Sequence, residues 1–235
     1  MNPNAARVTT LGLRPDAPPR ECLPTGIAAL DALLTGDALL TGDALLTRGQ
    51  TQGFPRGAIS EILGAESSGR TTLVHALLAA ATARHEICAY VDTDNSFDPV
   101  SAAAAGVTLS QLVWVRCGHN AGHALKAADS LLHAGGFGVI VLDLCQVPPR
   151  IWNSIPISYW YRFRRAIENT PAILALVEKE PLAKSCAALM IGLECKRTVW
   201  TGAPGFSLLR GVELEAVSRK PVRAVTAQFQ ARWLA

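Results

Sequence analysis

A glycine-rich turn between an apolar run and an amphipathic segment constrains the fold of this chain more than any other feature. The turn reads GAESSGRT over residues 64–71 and follows the apolar run 58–63. Glycines let backbone N–H groups converge on phosphate oxygens, and the N-terminus of the following helix adds a favourable field. The pattern therefore predicts a phosphate-binding loop between a buried strand and a helix.

The residues that this loop offers to a nucleotide follow from its chemistry. Arg70 stands where such loops carry lysine, and its planar guanidinium is longer than the compact ammonium of lysine. We expect phosphate binding to survive this change and the positioning of a transition state to suffer from it. ATP is the expected cofactor, and the predicted binding residues of the loop are Gly64, Glu66, Ser67, Ser68, Gly69, Arg70, Thr71 and Thr72.

A second candidate lies at the end of the apolar run 139–143. In proteins with a phosphate loop, an aspartate at the end of such a strand helps to hold the Mg²⁺ that accompanies the nucleotide. Many buried strands end in aspartate, but this one follows the loop by two strand units. The sequence therefore predicts that the hydroxyl of Thr71 and, through water, the carboxylate of Asp143 hold a nucleotide-bound Mg²⁺.

Alternating apolar and amphipathic segments follow the loop. Of the 235 residues 49% are apolar and 17% are charged, which supplies a sizeable core and excludes a disordered or fibrous chain. The pattern predicts an α/β fold with a mostly parallel central sheet flanked by helices. The predicted strands are 58–63, 87–91, 112–115, 139–142 and 172–177, and the predicted helices are about 70–84, 96–105, 121–134 and 158–169. Three further strands near 187–194, 212–217 and 224–229 lack helices between them, so we expect antiparallel strands at one edge.

The chain before the core divides into two parts. Residues 1–24 are rich in proline and predict an extended arm. Residues 25–56 predict a linker with a helix, and between residues 31 and 47 the sequence DALLT occurs in three tandem copies. A tandem duplication in a surface loop or frayed helix and a functional interaction surface are the two interpretations of this repeat. Residues 57–235 are the predicted core domain.

Charge is unevenly distributed along the chain. Residues 1–144 carry 9 Lys or Arg and 13 Asp or Glu, whereas residues 145–235 carry 13 and 6. A basic second half suggests an anionic partner, with DNA as one candidate. The six cysteines form no Cys-x-x-Cys pair, which favours free thiols in a reducing compartment. With neither a leader pattern nor an apolar run of about 18 residues, we expect a cytoplasmic protein without a membrane partner.

Basic and aromatic side chains alternate over residues 152–165. Three interpretations remain open: a core helix with its arginines in solvent, a surface that stacks single-stranded bases and neutralises phosphates, or a contact with a protein partner. The candidate residues for nucleic acid or a partner are Arg162, Arg164 and Arg165.

His119 and His123 have a spacing that suits a metal ion on one face of a helix, and Cys117 lies nearby. A fourth ligand is not evident. We therefore expect a structural or exposed role for these residues.

The motifs occur in an order that resembles the ATPase core of RecA-family recombinases. The resemblance continues through the strand that ends at Asp143 and covers roughly residues 23–235. It implies a RecA-like core that binds ATP and Mg²⁺, and it adds Asp98 to the residues expected to bind the nucleotide. The segments that carry it are LPTGIAALD at 23–31, GFPRG at 53–57, EILGAESSGRTT at 61–72 and AYVDTDNSFDP at 89–99.

Several departures from the family pattern fall at positions that serve catalysis in the family. The family's catalytic glutamate aligns with Asp94, whose side chain is one methylene shorter. A misplacement of about 1 Å can cost on the order of a hundredfold in rate. The position of the aromatic ring against adenine aligns with Ser101, and the polar pair that senses the terminal phosphate aligns with Glu178-Lys179. Together with Arg70, these changes predict weak or lost ATP turnover.

The family's DNA-binding loops are altered as well. The second loop is long and Gly-rich in the family, but about residues 179–186 alone separate the two strands in this chain. The first maps near residues 147–158, where three prolines make it stiff. The family's extra C-terminal domain is not recognisable in the sequence.

A RecA-like core with these changes is similar to the ImuA group, which are accessory proteins of the bacterial SOS response and damage-induced mutagenesis. The resemblance implies contacts with RecA or with DNA-repair and translesion polymerase proteins, with direct DNA contact left open. Two alternatives remain. One is a divergent, shortened RecA-type DNA-dependent ATPase, and the other is a binding module that ATP orders without being consumed.

Overall fold

Alternating strands and helices make up the described part of the chain, which comprises residues 21–34, 52–152, 154–203 and 205–232 of a computed structural model. The strands are β1 Cys22–Leu23, β2 Phe54–Pro55, β3 Ala58–Gly64, β4 Ile87–Asp92, β5 Leu112–Arg116, β6 Phe137–Asp143, β7 Ile173–Glu178, β8 Ala187–Thr201, β9 Leu208–Lys220 and β10 Val222–Arg232. The helices are α1 Ala28–Leu33, α2 Arg70–Thr82, α3 Pro99–Ala104, α4 Ala121–Ala134, α5 Pro149–Trp152 and α6 Ile157–Ile167.

Eight of the described strands form one sheet, in the order β10-β9-β8-β3-β7-β6-β4-β5. All pairings from β8 to β5 in this order are parallel, whereas β9 pairs antiparallel with β8 and with β10. Parallel strands are covered by helices on both faces, which explains why β3, β4, β6 and β7 are buried over nearly their whole length. The predicted α/β fold, a mostly parallel sheet with antiparallel edge strands, is confirmed.

Strand β8 joins the antiparallel edge strands to the parallel part of the sheet. It pairs in parallel with one side of β3, with Ala187 opposite Ile59, and β7 pairs with the other side, with Glu178 opposite Leu63. Residues 179–186, the return loop, therefore run back along the sheet without an α-helix, and Lys184–Cys186 form a short 3₁₀ turn. The last three described strands pair antiparallel at one edge of the sheet, as predicted. The parallel pairing of β8 with β3 adds a contact that the sequence pattern does not show.

The strands β8 and β9 extend further than the predicted strands near 187–194 and 212–217. They have 15 and 13 residues. Cross-strand ion pairs support the outer part of this hairpin, with Lys196 Nζ 2.9 Å from Glu215 Oε1 and Arg197 Nη2 2.6 Å from Glu213 Oε1. These charged side chains interrupt the apolar alternation, which is why the sequence pattern ends both strands early.

Two apolar layers enclose the sheet, and successive residues of its strands alternate between them. In β6, Val139 and Val141 belong to the layer formed with α1, α2 and α3, whereas Ile140 and Leu142 belong to the layer formed with α4 and α6. Among the described helices, none is both long enough and apolar enough to span a membrane.

The core begins before residue 57, where the predicted core domain starts. Strands β1 and β2 pair with each other, and Leu23, Leu30 and Phe54 are fully buried. These segments are too short to show a period in the sequence, so the predicted boundary falls late. The first DALLT copy begins in α1 at Asp31, while residues 35–51 with the other copies, and residues 1–20 of the predicted arm, lie outside the described residues.

A pair of buried carboxyls ties the return loop to the centre of the sheet. Glu61 of β3 is fully buried, and its Oε1 accepts hydrogen bonds from the amides of Leu182, at 2.8 Å, and Ala183. Glu178 at the end of β7 is 2% exposed and hydrogen-bonds to Glu61. Desolvation, then the charge of Glu61 and this hydrogen bond, raises the pKa of Glu178 well above its usual value. Glu178 therefore stays protonated at a pH where an exposed glutamate is ionised.

We predict that Glu178→Gln flattens the pH dependence of stability. A carboxyl whose folded pKa exceeds its unfolded pKa contributes stability that is full below the unfolded pKa and is lost as pH rises through the folded pKa. Glutamine keeps a donor toward Glu61 and has no proton to lose. In urea unfolding from about pH 5 to about pH 9, the wild type should lose up to about 1.4 kcal/mol per pH unit relative to the variant, as long as Glu178 is ionised in the unfolded chain and still protonated in the folded protein.

Glu180→Gln is the matched control, because Glu180 is an exposed carboxylate on the same loop. This variant should follow the wild-type pH profile. Parallel profiles for Glu178→Gln and the wild type would show that Glu178 is already ionised in the folded protein.

Candidate nucleotide site

The predicted phosphate loop joins β3 to α2, and close packing behind it explains its glycines. Gly69 precedes α2 with a φ of 94°, and a Cβ on it would lie 2.5 Å from the side chain of Leu214 in β9. A Cβ on Gly64 would lie 2.8 Å from the carbonyl oxygen of Leu193 in β8. The loop therefore lies against β8 and β9, and the first amides of α2 have no acceptor within their own helix.

Two polar side chains of the loop are buried without a hydrogen-bond partner among the described residues. Arg70 is 8% exposed and its Nη1 has no acceptor, and Ser68 is 3% exposed and its Oγ has no partner. Buried polar atoms are nearly always paired in folded proteins. A phosphate group supplies acceptors for both atoms, so these residues fit the phosphates of a nucleotide.

A cavity of about 120 Å³ lies beside the first turns of α2. It is lined by Arg70, Thr71 and Asp143, so the structure brings together the predicted phosphate ligand and both predicted Mg²⁺ ligands. Burial lowers the pKa of His75, which also lines the cavity, so the cationic lining residue is Arg70. The remaining lining residues are Val74, Tyr90, Ser96, Phe97, Cys145, Gln146 and Val177.

Three protein donors occupy the carboxylate of Asp143. Its Oδ2 accepts from the hydroxyls of Tyr90, at 2.7 Å, and Ser96, at 3.2 Å, and its Oδ1 accepts from the amide of Cys145, at 3.0 Å. Desolvation, then the charge of Asp143, raises the pKa of Tyr90 well above its usual value, so the phenol keeps its proton and donates.

These contacts make Asp143 a poor fit to a hydrated Mg²⁺. A carboxylate has about four lone-pair sites, and three of those on Asp143 already accept protein donors. No cluster of three His, Cys, Asp or Glu side chains within the described ranges could hold a metal ion. The Mg²⁺ role of Thr71 and Asp143 stays a prediction that the hydrogen bonds oppose.

Asp94, the predicted catalytic position, faces His119. Its Oδ1 lies 3.1 Å from Nδ1 of this ring, which is 70% exposed. Asp94 is not among the residues that line the cavity beside Arg70. The predicted catalytic carboxylate and the predicted phosphate ligand therefore do not line the same cavity.

Asp98 and Ser101 form the N-terminal cap of α3. Asp98 accepts from the amides of Val100, at 3.2 Å, and Ser101, at 3.0 Å, and from the hydroxyl of Ser101. The hydroxyl bond, then the amide bonds, lowers the pKa of Asp98, as expected of a capping aspartate. Neither residue lines the cavity, and neither does Thr72. Asp98 thus has protein partners for both of its oxygens.

Glu66 connects the phosphate loop to the return loop. Lys179 Nζ lies 3.0 Å from Glu66 Oε1, and this hydrogen bond, then the charge of Lys179, lowers the pKa of Glu66. Lys179 and Glu178 occupy the predicted phosphate-sensing pair. Lys179 contacts Glu66, and Glu178 is buried against Glu61. Both members of the pair therefore contact acidic side chains, and neither lines the cavity beside Arg70.

The aromatic side chains of α6 agree with the core-helix interpretation. Trp160 is 2% exposed and Phe163 is fully buried. Arg162 lies 4.7 Å from the centre of the Tyr159 ring, and its Nε lies 3.0 Å from Asp129 Oδ1. The outward-facing side chains of this helix include Tyr161 and Arg165, and Arg164 is half-buried.

Sequence reasoning misses the partners of Asp143 and a second buried carboxylate next to it. Asp92 is fully buried and accepts from the amides of Ser96 and Phe97 and from the indole of Trp114. For Tyr90, a signal was present in the sequence, because a hydroxyl within an apolar strand needs a partner. Which residue is that partner depends on the register of β4 against β6, and this register cannot be read from the sequence pattern.

Comparison with known proteins shows the family. The model of the RecA N-terminal domain matches residues 28–150. The chain is 37% identical to Protein RecA of Chloroflexus aurantiacus over 123 residues, which are 52% of this chain and 30% of that protein. It is 41% identical to Protein RecA of Borreliella afzelii and 42% identical to Protein RecA of Treponema denticola, each over 91 residues that make up 39% of this chain and 25% and 22% of those proteins.

The match therefore spans less than a third of the length of these curated relatives. It includes the phosphate loop, Asp94 and the strand that ends at Asp143. Since the family model covers 123 residues, more than half of the chain, this protein belongs to the RecA N-terminal domain family.

Proposed function

We propose that this chain is a RecA-like accessory protein of bacterial DNA repair that does not catalyse recombination. In this proposal it acts in damage-induced translesion mutagenesis, by contacts with RecA or translesion polymerase proteins, and its ATP turnover is weak or lost. The observation that carries the proposal is Asp94, which pairs with the exposed His119 and lies outside the cavity that Arg70 lines. We also predict a cytoplasmic location, where such partners act.

The contacts around the phosphate loop favour binding over turnover. RecA-family proteins typically bind ATP with Mg²⁺, and ATP binding at this loop is part of the proposal. Hydrolysis further requires a group that orients the attacking water beside the terminal phosphate. Asp94 pairs with His119, and Lys179 pairs with Glu66. Losing one preorganised catalytic group costs on the order of a hundredfold in rate.

The return loop, at the position of the family's second DNA-binding loop, carries two lysines, of which Lys184 is exposed. Lys179 pairs with Glu66. Lys220, packed beside the loop, donates to the carbonyl oxygen of Ser185 at 3.1 Å, and burial lowers its pKa. DNA affinity depends largely on cations that neutralise phosphates. These contacts favour a protein as the main partner, and direct DNA contact stays a secondary proposal.

The alternative function is a divergent, shortened RecA-type DNA-dependent ATPase. The unpartnered Arg70 Nη1 and Ser68 Oγ favour it, because they indicate an anion at the phosphate loop. A binding module that ATP orders without being consumed has the same support. The ATPase and the binding module differ in turnover, which decides between them.

We predict that the purified chain hydrolyses ATP at least about a hundredfold more slowly than a RecA protein assayed beside it, with or without single-stranded DNA. Arg70→Lys should leave the rate low, because it restores the lysine of the loop while Asp94 stays outside the cavity. Phosphate release measured over time checks both statements.

Arg84→Lys is the matched control, since it makes the same exchange at an arginine whose side chain is 48% exposed. DNA-stimulated turnover in the wild type within about tenfold of RecA would refute the accessory function and support the ATPase.

We predict that purified RecA or translesion polymerase proteins of the source bacterium bind this chain, and that Arg165→Glu weakens the complex by about tenfold. Arg165 is exposed on α6 near Tyr161, which is 51% exposed, and arginine and tyrosine are enriched at protein interfaces. Biolayer interferometry with immobilised chain measures the affinities.

Lys126→Glu makes the same charge change at an exposed position of α4 and should bind like the wild type. Failure of every one of these purified proteins to bind would rule out the proposed partners. Equal binding by Arg165→Glu and the wild type would place the contact away from α6.

A further inference from the structure

The cavity beside the phosphate loop contains one carboxylate and one guanidinium, and the protein satisfies only the first. Asp143 accepts from Tyr90, Ser96 and the Cys145 amide, all within 3.2 Å. Within the described ranges, Arg70 Nη1 has no acceptor although it is buried. The carboxylate of the cavity is therefore hydrogen-bonded by protein donors, whereas the guanidinium keeps a donor for a ligand.

Packing holds the hydroxyl of Tyr90 in place. The ring of Tyr90 lies 4.5 Å from that of Phe97, which lies 5.4 Å from that of Trp114, measured between ring centres. The indole of Trp114 donates to the buried Asp92 at 3.0 Å, which anchors the far end of this ring cluster. A cation that binds Oδ2 of Asp143 would have to displace a donor that cannot move without the cluster, whereas Oδ1 accepts from the Cys145 amide.

Ser96 is anchored in a similar way. Its amide donates to Asp92 Oδ1 at 3.0 Å while its hydroxyl donates to Asp143 Oδ2 at 3.2 Å. Mg²⁺ dehydrates reluctantly and requires near-ideal octahedral geometry, so it usually reaches a carboxylate with several waters in place. Those waters need acceptor positions on Asp143 that the two hydroxyls use.

We propose that this phosphate loop binds the phosphate groups of a nucleotide without a divalent cation. Arg70 supplies the positive charge, and Tyr90 and Ser96 occupy the carboxylate of Asp143. The proposal replaces the prediction that Thr71 and Asp143 hold Mg²⁺. It rests on the proposed nucleotide binding and is independent of which protein the chain contacts.

Titration of the full chain with ribose-labelled fluorescent ATP, in EDTA and in excess Mg²⁺, tests this proposal. The two dissociation constants of the wild type should agree within about threefold. Tyr90→Phe keeps the packed ring and removes one donor from Asp143 Oδ2. In this variant Mg²⁺ should tighten binding by about tenfold.

Tyr159→Phe is the matched control, because it removes a hydroxyl from a ring on α6 that does not line the cavity, and it should behave like the wild type. Ser96→Ala removes the other hydroxyl from Asp143 and should shift Mg²⁺ dependence in the same direction as Tyr90→Phe. Thermal melting followed by circular dichroism identifies any variant that does not fold, and the second variant then carries the test.

Three results would overturn the proposal: wild-type binding that tightens about tenfold or more with Mg²⁺, folded Tyr90→Phe and Ser96→Ala that both stay indifferent to Mg²⁺, or no binding in either buffer. The last result would not bear on the proposed accessory function, because the binding assay with RecA and polymerase proteins tests that function separately. Failure of this proposal is therefore distinguishable from failure of the proposed function.

Discussion

The buried carboxylate of Asp143 connects the elements that surround the candidate site. Its donors come from β4, through Tyr90, from the segment after β4, through Ser96, and from the turn after β6, through the Cys145 amide. Asp92, its register partner on β4, is also fully buried and accepts from the segment after β4. Two adjacent buried carboxylates are costly unless each is hydrogen-bonded, so the positions of these donors are tightly determined.

This constraint explains why Asp94 lies outside the cavity. Thr93 donates its hydroxyl to the main-chain carbonyl of Asp143, and Ser96 bonds to both buried carboxylates. Asp94 lies between the buried Thr93 and the exposed Asn95, and it pairs with an exposed partner, His119. Lengthening the side chain at position 94 by one methylene would not change the contacts of its neighbours. The weak turnover that we propose therefore has a cause in the backbone of this segment as well as in side-chain length.

Long, regular patterns of apolar residues allow the fold to be predicted from the sequence. Contacts between strands of the sheet leave no such pattern, so they cannot be predicted in this way. Helix α4 follows the predicted bounds, and the apolar runs locate β3, β4, β6 and β7. The parallel pairing of β8 escapes prediction because a short return loop has no pattern of its own. The loop residues around Arg70 are recognisable because a phosphate site needs consecutive residues. The Tyr90–Asp143 contact joins residues 53 positions apart, and it exists through the register of two strands.

The division of charge between the two halves of the chain has a different meaning in the folded protein. Some carboxylates of the acidic half are internal, since Glu61 and Asp92 are fully buried and Asp143 is 8% exposed, whereas others, such as Glu66 and Asp98, are exposed. Cations of the basic half are partly neutralised across the division, by the pairs Arg162–Asp129 and Lys179–Glu66. An excess of positive residues in a segment predicts a DNA-binding surface only where the cations lack such partners. A basic second half is therefore compatible with a protein whose main contacts are with other proteins.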